Sequence, residues 1–176
     1  MAEIVIREAA GAAEVECVRG LMLAYATHLA SNPAGAANIS LENYERELSG
    51  LPGQYAAPDG VLLLALVDGV GAGCCAVRVL RKERVAERAC ELKRLFVSSN
   101  FRGLGLGRRL TEAAMTWAVG AGYEAMYLDT VPAAMPEANG MYAAMGFERV
   151  GRYNNNMVED VVFFRHALGG ENQERG

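Results

Sequence analysis

The residues with the clearest chemical potential lie in the run Phe101-Arg102-Gly103-Leu104-Gly105-Leu106-Gly107-Arg108. Its glycines allow positive φ and close approach of the backbone to a ligand. The run follows an apolar, strand-like segment and precedes a helix-like one. A helix N-terminus carries unbonded N–H groups and a partial positive charge, so the combination suits a phosphate or diphosphate. Two common phosphate-binding patterns are absent. A G-x-G-x-x-G run would need glycine where Arg108 stands, and no G-K-[ST] occurs. What remains is Arg102-x-x-Gly105-x-Gly107. On these residues alone it reads either as an anion cradle or as a tight strand-to-helix connection that holds no ligand. Cys17, Cys74, Cys75 and Cys90 offer neither a C-x-x-C nor a nearby His. They are expected to be free thiols in a reducing cytosol, with no metal bound.

The glycine run must be held by elements on either side. Ala89 to Val97 reads as the strand before it. Leu106, Leu110, Ala113, Trp117 and Ala121 fall on one face of the helix after it, which Gly122 stops. Upstream, Glu3 to Glu8 alternates as a strand. Val15, Val18, Met22, Tyr25 and Leu29 mark an amphipathic helix, broken at Asn32-Pro33-Ala34-Gly35. A shorter helix follows Ser40, its expected N-cap, with Leu41, Tyr44 and Leu48 on the apolar face. Leu51 to Tyr55 is read as a loop. Val61 to Val67 and Cys74 to Leu80 form a hairpin signalled by Asp68-Gly69. Downstream come a strand at Ala125 to Asp129, a helix at Pro136 to Met145, and strands at Phe147 to Val150 and Val161 to Arg165. The order β-α-α-β-β-β-α-β-α-β-β predicts an α/β (α+β) fold, one mixed sheet with helices on both faces. Residues 1–168 form one domain, and residues 169–176 a mobile tail.

Composition agrees with one packed domain: 176 residues, 52% hydrophobic and 22% charged. The net charge of −4 argues against a nucleic-acid partner. The N-terminus lacks the apolar run of a signal peptide, and no stretch reaches about 18 apolar residues, so a cytoplasmic chain without a membrane partner is expected.

Three runs in one order, Cys90 to Val97, Arg102 to Gly107 and Met141 to Phe147, resemble the GNAT superfamily of N-acetyltransferases. That family's acetyl-CoA loop has the form [QR]-x-x-G-x-[GA], and a later helix ends in an "LY…GF" signature, here Met141-Tyr142 and Gly146-Phe147. Glu47 to Tyr55 is similar to a bacterial subgroup of the family. The resemblance implies a mostly antiparallel sheet with a bulge that splays the fourth strand from the fifth. It also implies acetyl-CoA as cosubstrate, a primary amine as acceptor (a small molecule, amino acid or peptide), direct transfer without an acyl-enzyme, and a possible homodimer. Arg102, Gly103, Leu104, Gly105, Leu106, Gly107 and Arg108 would offer backbone N–H groups to the diphosphate. Leu95, Phe96 and Val97 would pair with the pantetheine arm.

Such a reaction needs a route for the amine proton, a donor for the oxyanion and an acid for the departing thiolate. In some GNAT enzymes a glutamate at this spacing deprotonates the amine, often through water, so the resemblance makes Glu91, eleven residues before Arg102, the candidate base. The same residue could instead pair with Lys93, Arg94 or Arg78 and hold the sheet. Asp129, Glu137, Glu159 and Asp160 are rival carboxylates. Tyr142 matches the family's tyrosine and is the candidate acid, or else a core residue. The oxyanion donor would be the N–H of Phe96 or Val97. Many relatives carry Asn seven residues before this tyrosine. Met135 stands there instead, and Asn139 lies elsewhere on the helix. Arg78, Tyr44, Tyr55, Tyr153 and Asn154 are candidates for the acceptor pocket. His28 and His166 are read as structural or surface residues, and Trp117 as core. A non-catalytic acyl-CoA-binding module is the alternative reading.

Overall fold

The computed structural model describes residues 1–37 and 41–169. The elements are β1 (Ile4–Glu8), α1 (Gly11–Ala30), α2 (Pro33–Ala37), α3 (Leu41–Ser49), β2 (Val61–Val67), β3 (Val70–Leu80), β4 (Ala89–Val97), α4 (Leu106–Gly120), β5 (Ala125–Thr130), α5 (Pro136–Ala144), β6 (Glu148–Val150) and β7 (Val162–Ala167). The sheet runs β1-β2-β3-β4-β5-β7-β6. Its neighbours are antiparallel except β4 and β5, which are parallel.

Helices cover both faces, which explains the continuous apolar run of β2. Leu62 and Leu64 pack with Val18 and Met22 of α1 and with Tyr44 and Leu48 of α3. Leu63 and Ala65 pack on the other side with Leu110, Ala114 and Ala118 of α4 and Tyr142 of α5. Asp68 and Gly69 both take positive φ, 49° and 79°, as a two-residue hairpin turn requires.

Three expectations need correction. The break at Asn32 restarts the helix: the Asn32 side chain accepts a hydrogen bond from the Ala34 N–H at 2.9 Å, and Pro33 opens α2, the cap and first-turn chemistry of a new helix. β3 begins at Val70 rather than Cys74, because the turn hands straight over to pairing at Val67 and Val70. Gly53–Tyr55 is a 3₁₀ turn within the expected loop. The Ser40 cap and residues 170–176 of the expected tail lie outside the described residues.

Two irregularities in β4 create the site. Cys74 pairs with Phe96 and Ala76 with Lys93, so Arg94 and Leu95 together oppose Cys75. That is a β-bulge, with Arg94 at φ 59°. The bulge ends the alternation that would set Leu95 beside Glu91 and Lys93. Leu95 packs instead with the α4 and α5 core, and Phe96 with the α1 and α3 core. Pairing between β4 and β5 covers only Ala89 with Ala125, Cys90 with Met126 and Glu91 with Tyr127. Beyond Glu91 the strands diverge, opening the expected splay.

Candidate active site

The glycine run forms a turn between β4 and α4. Gly103 and Gly105 take φ 82° and 71°, and Gly105 sits immediately before α4 in the left-handed conformation. Arg109 N–H reaches Gly105 O at 3.1 Å. The N–H groups from Gly103 to Arg108 make no hydrogen bond among the described residues. Arg102 differs: its N–H meets Ser99 O at 3.5 Å. The Leu104 side chain faces solvent at 42% exposure, which leaves its amide as its contribution. This turn edges a cavity of about 580 Å³, bounded opposite by Ala134 to Ala138 and by Leu95, Phe96 and Val97.

The hydrogen-bonding parity of β4 separates the oxyanion candidates. Ser98 N–H bonds Ala72 O at 2.9 Å, two residues beyond the Phe96–Cys74 pair in the same register. Alternation along an antiparallel ladder turns the Phe96 amide toward β3 and the Val97 amide toward the splay. Val97 is therefore the available donor. The bulge itself is held from α3. The Glu47 carboxylate grips the Arg94 guanidinium at 2.6 and 3.1 Å and accepts a hydrogen bond from the Tyr55 hydroxyl. Arg94 also lies over the Tyr44 ring at 4.9 Å.

A second cavity, about 510 Å³, shares Leu95, Ala134, Met135 and Ala138 with the first. Glu91, Lys93, Asp129 and Tyr142 line it. Glu91 is fully buried. Its Oε1 accepts from Arg78 Nε at 2.8 Å, and its Oε2 from the Tyr153 hydroxyl at 2.6 Å and Asn154 Nδ2 at 3.4 Å. Burial pushes its carboxyl up, but the charges of Lys93 and Arg78 and the Tyr153 hydroxyl outweigh it and hold the group below its ordinary range. The pairing with Arg78 is one of the structural roles weighed for Glu91.

Asp129 is placed differently. Its Oδ2 accepts from Asn154 Nδ2 at 2.7 Å and Asn156 Nδ2 at 3.1 Å. Its Oδ1 faces Lys93 Nζ at 3.7 Å and accepts no hydrogen bond from another described residue. Burial raises this carboxyl too, and Lys93 with the two amides more than reverses it. Burial pushes the Tyr142 phenol well up, so it stays protonated. The Tyr142 hydroxyl makes no hydrogen bond among the described residues, yet it is not sealed off and belongs to the cavity wall.

Of the acceptor-pocket candidates, Arg78 and Asn154 line this cavity and Tyr153 touches it through Glu91. Tyr44 and Tyr55 do not: their hydroxyls reach Met22 O at 2.6 Å and Glu47. Glu137 borders the first cavity, whereas Glu159 and Asp160 are exposed elsewhere. Asn139 Nδ2 bonds Thr130 Oγ1 and Met135 O, each at 3.2 Å, and so ties α5 to β5. The reading of His28 is corrected: α1 is long enough to carry it to the wall of the first cavity, 6.4 Å from the Phe96 ring. Tyr25, one turn earlier, lines the second. Tyr25 sat within an amphipathic pattern that signals only packing. Cys74, Cys75 and Cys90 are buried free thiols. Among the described residues no group of three or more His, Cys, Asp or Glu could hold a metal, and no helix is long and apolar enough to cross a membrane.

Comparison with known proteins agrees with this geometry. The model of the acetyltransferase (GNAT) family matches residues 25–147. An uncharacterized N-acetyltransferase of Schizosaccharomyces pombe is 31% identical over 129 residues, covering 73% of this chain and 76% of that protein. A GNAT-family acetyltransferase structure from Staphylococcus aureus superposes with a TM-score of 0.73 at 20% identity, over 94% of this chain and 99% of its own. The PaiA N-acetyltransferase of Thermoplasma acidophilum, solved in complex with coenzyme A, gives 0.66 at 15% identity over 94% and 99%. A turn of unbonded amides, a splayed parallel strand pair and a family match spanning both lead to one conclusion: the chain belongs to the GNAT family and is an acyltransferase of the N-acyl-transferring kind.

Proposed function

We propose that the protein transfers an acetyl group from acetyl-CoA to a primary amine by direct attack in a ternary complex. The observation that carries this reading is the row of amides from Gly103 to Arg108 at the start of α4, unbonded among the described residues, on a cavity that shares wall residues with a second, charged one. The amides and the helix end fit a diphosphate. The coenzyme A complex of the PaiA relative supports the same assignment. Leu95, Phe96 and Val97 edge the channel that the pantetheine arm would follow.

Acetyl-CoA supplies an activated thioester carbonyl, which the amine attacks. The Val97 N–H, turned into the splay, donates to the carbonyl oxygen. Asp129 Oδ1, which accepts no hydrogen bond from another described residue, takes a proton from the entering ammonium. A carboxylate held below its ordinary range does not retain that proton and passes it to water. Asp129 suits this role better than Glu91, whose two oxygens already accept from Arg78, Tyr153 and Asn154. Glu91 holds Arg78 and Tyr153 in place. The Tyr142 hydroxyl donates to the sulfur as the C–S bond breaks. The new C–N bond replaces the C–S bond, the nitrogen's second proton restores the Tyr142 hydroxyl, and the sulfur leaves with one proton while one goes to solvent.

The test is calorimetry with acetyl-CoA followed by amine-dependent thiol release. Saturable binding with turnover supports the reading, and Asp129→Asn then lowers kcat by about 10²–10⁴. Binding without turnover on any amine would leave an acyl-CoA-binding module. Absence of binding at millimolar acetyl-CoA would refute the cradle.

A further inference from the structure

The second cavity is cationic in a protein that is anionic overall. Arg78, Arg84, Lys93 and Arg94 line it against Glu91 and Asp129, while the whole chain carries −4. Two of these cations are held in close ion pairs, Arg78 with Glu91 and Arg94 with Glu47, each at 2.6 Å. Among the described residues the Arg84 guanidinium hydrogen-bonds only the neutral Asn155 side chain, at 3.2 Å. Lys93 is the unusual one. Its side chain is only 16% exposed, its Nζ stands 3.7 Å from Asp129 Oδ1, beyond hydrogen-bond reach, and it makes no hydrogen bond among the described residues. The side chain is largely buried, but its Nζ is not sealed from the cavity, so its three donors are left to whatever the cavity holds. Asp129 Oδ1 beside it has unused acceptor capacity. One donor and one acceptor of opposite charge thus stand side by side, facing the same space.

A simple cationic amine would satisfy Asp129 but would be repelled by Lys93 and leave its donors idle. An α-amino acid carries an ammonium and a carboxylate on one carbon. It presents the same pair of charges with reversed polarity, so both groups are met at once. We infer that the acceptor is an amino acid. Lys93 Nζ holds the carboxylate, and Asp129 Oδ1 holds the amine. Arg84 places a further cation on the same cavity. This assignment deepens the proposed function and rests on it.

The experiment compares matched acceptors at saturating acetyl-CoA: the standard amino acids against the amines that lack only the carboxylate, such as alanine against ethylamine and phenylalanine against phenethylamine. Thiol release gives kcat/KM for each. The expected result is that acetylated amino acids exceed their decarboxylated partners by about 10- to 100-fold, the loss of one charged hydrogen bond. Lys93→Met collapses this ratio, chiefly through the acceptor KM, and Lys93→Arg restores part of it. Decarboxylated partners that react as well or better, a ratio unchanged in Lys93→Met, or failure of every amino acid while acetyl-CoA binds would each overturn the assignment and leave the cofactor cradle standing. Failure of acetyl-CoA to bind overturns both. The comparison of acceptors uses the unaltered protein, so it decides the matter even if the Lys93 variants fail to fold.

Discussion

Replacing Gly105 with alanine separates backbone strain from steric contact. At φ 71° a Cβ on Gly105 would meet nothing within 4 Å, so crowding contributes no penalty. What remains is the left-handed conformation, which costs an L-residue about 1–2 kcal/mol. For a chain of 176 residues, that lowers the midpoint of thermal unfolding by about 3–5 °C. If the turn relaxes instead, the amides from Gly103 to Arg108 move off their common focus. The acetyl-CoA dissociation constant then rises about tenfold or more, the worth of a charged hydrogen bond. Gly107 is the control. It lies inside α4 without positive φ, and its added Cβ would only touch Met141 Sδ at 3.5 Å. Gly107→Ala should therefore be neutral in stability or gain up to about 1 kcal/mol from better helix propensity. Calorimetric unfolding of both variants, with titration of acetyl-CoA into Gly105→Ala, gives the comparison. If Gly105→Ala matched the parent in both measurements, or Gly107→Ala lost more stability than it did, the left-handed turn would not be what shapes the cradle.

Tyr142→Phe removes a hydroxyl with no partner among the described residues, so urea unfolding should shift by no more than about 0.5 kcal/mol, while kcat falls about 10²-fold or more with little change in the acetyl-CoA KM. A parallel loss of stability would mark Tyr142 as a packing residue instead. Glu47→Ala strands the buried Arg94 guanidinium and should cost about 3–5 kcal/mol. Glu42→Ala, which breaks an exposed pair with Arg46, should cost less than about 0.5 kcal/mol, and equal losses in denaturant titrations would contradict the clamp on the bulge. Arg165 and Tyr127 hold the Glu87 carboxyl down at about 2, against an ordinary value of 4.5. The unfolded chain therefore binds more protons between those values, and stability is lost as pH falls through that window. Glu87→Gln should flatten the acid limb of a stability–pH curve, and an unchanged limb would remove the Arg165 pair from the account.

The elements and the glycine turn were legible because short-range rules determine them. Asp68-Gly69 sets a hairpin by its own dihedral preferences, and the spacing of Leu106, Leu110 and Ala113 faces one helix stripe toward the sheet. The turn needed only glycines between a strand and a helix. The splay was anticipated through family resemblance; the strands' own residues did not reveal it, since Arg94 at positive φ follows from the Glu47 clamp, a contact across 47 positions. The same distance hid His28 and Tyr25. Their places in a helical repeat say which face they share, and only the packing of α1 over the splay says what that face meets. Asp129, at the end of an apolar strand, was only one of four rival carboxylates. Its advantage over Glu91 depends on which oxygens are already bonded, and no local pattern carries that information.

The parallel contact between β4 and β5 consists of three residue pairs. The sheet is thereby two plates stitched along a short seam, one of four strands and one of three. Parting such a seam disturbs few rungs, whereas parting β2 from β3 would unzip a whole hairpin. The seam is where the sheet has the fewest backbone rungs to resist a shift of one plate against the other. Such a shift would change the width of the splay that opens beyond Glu91.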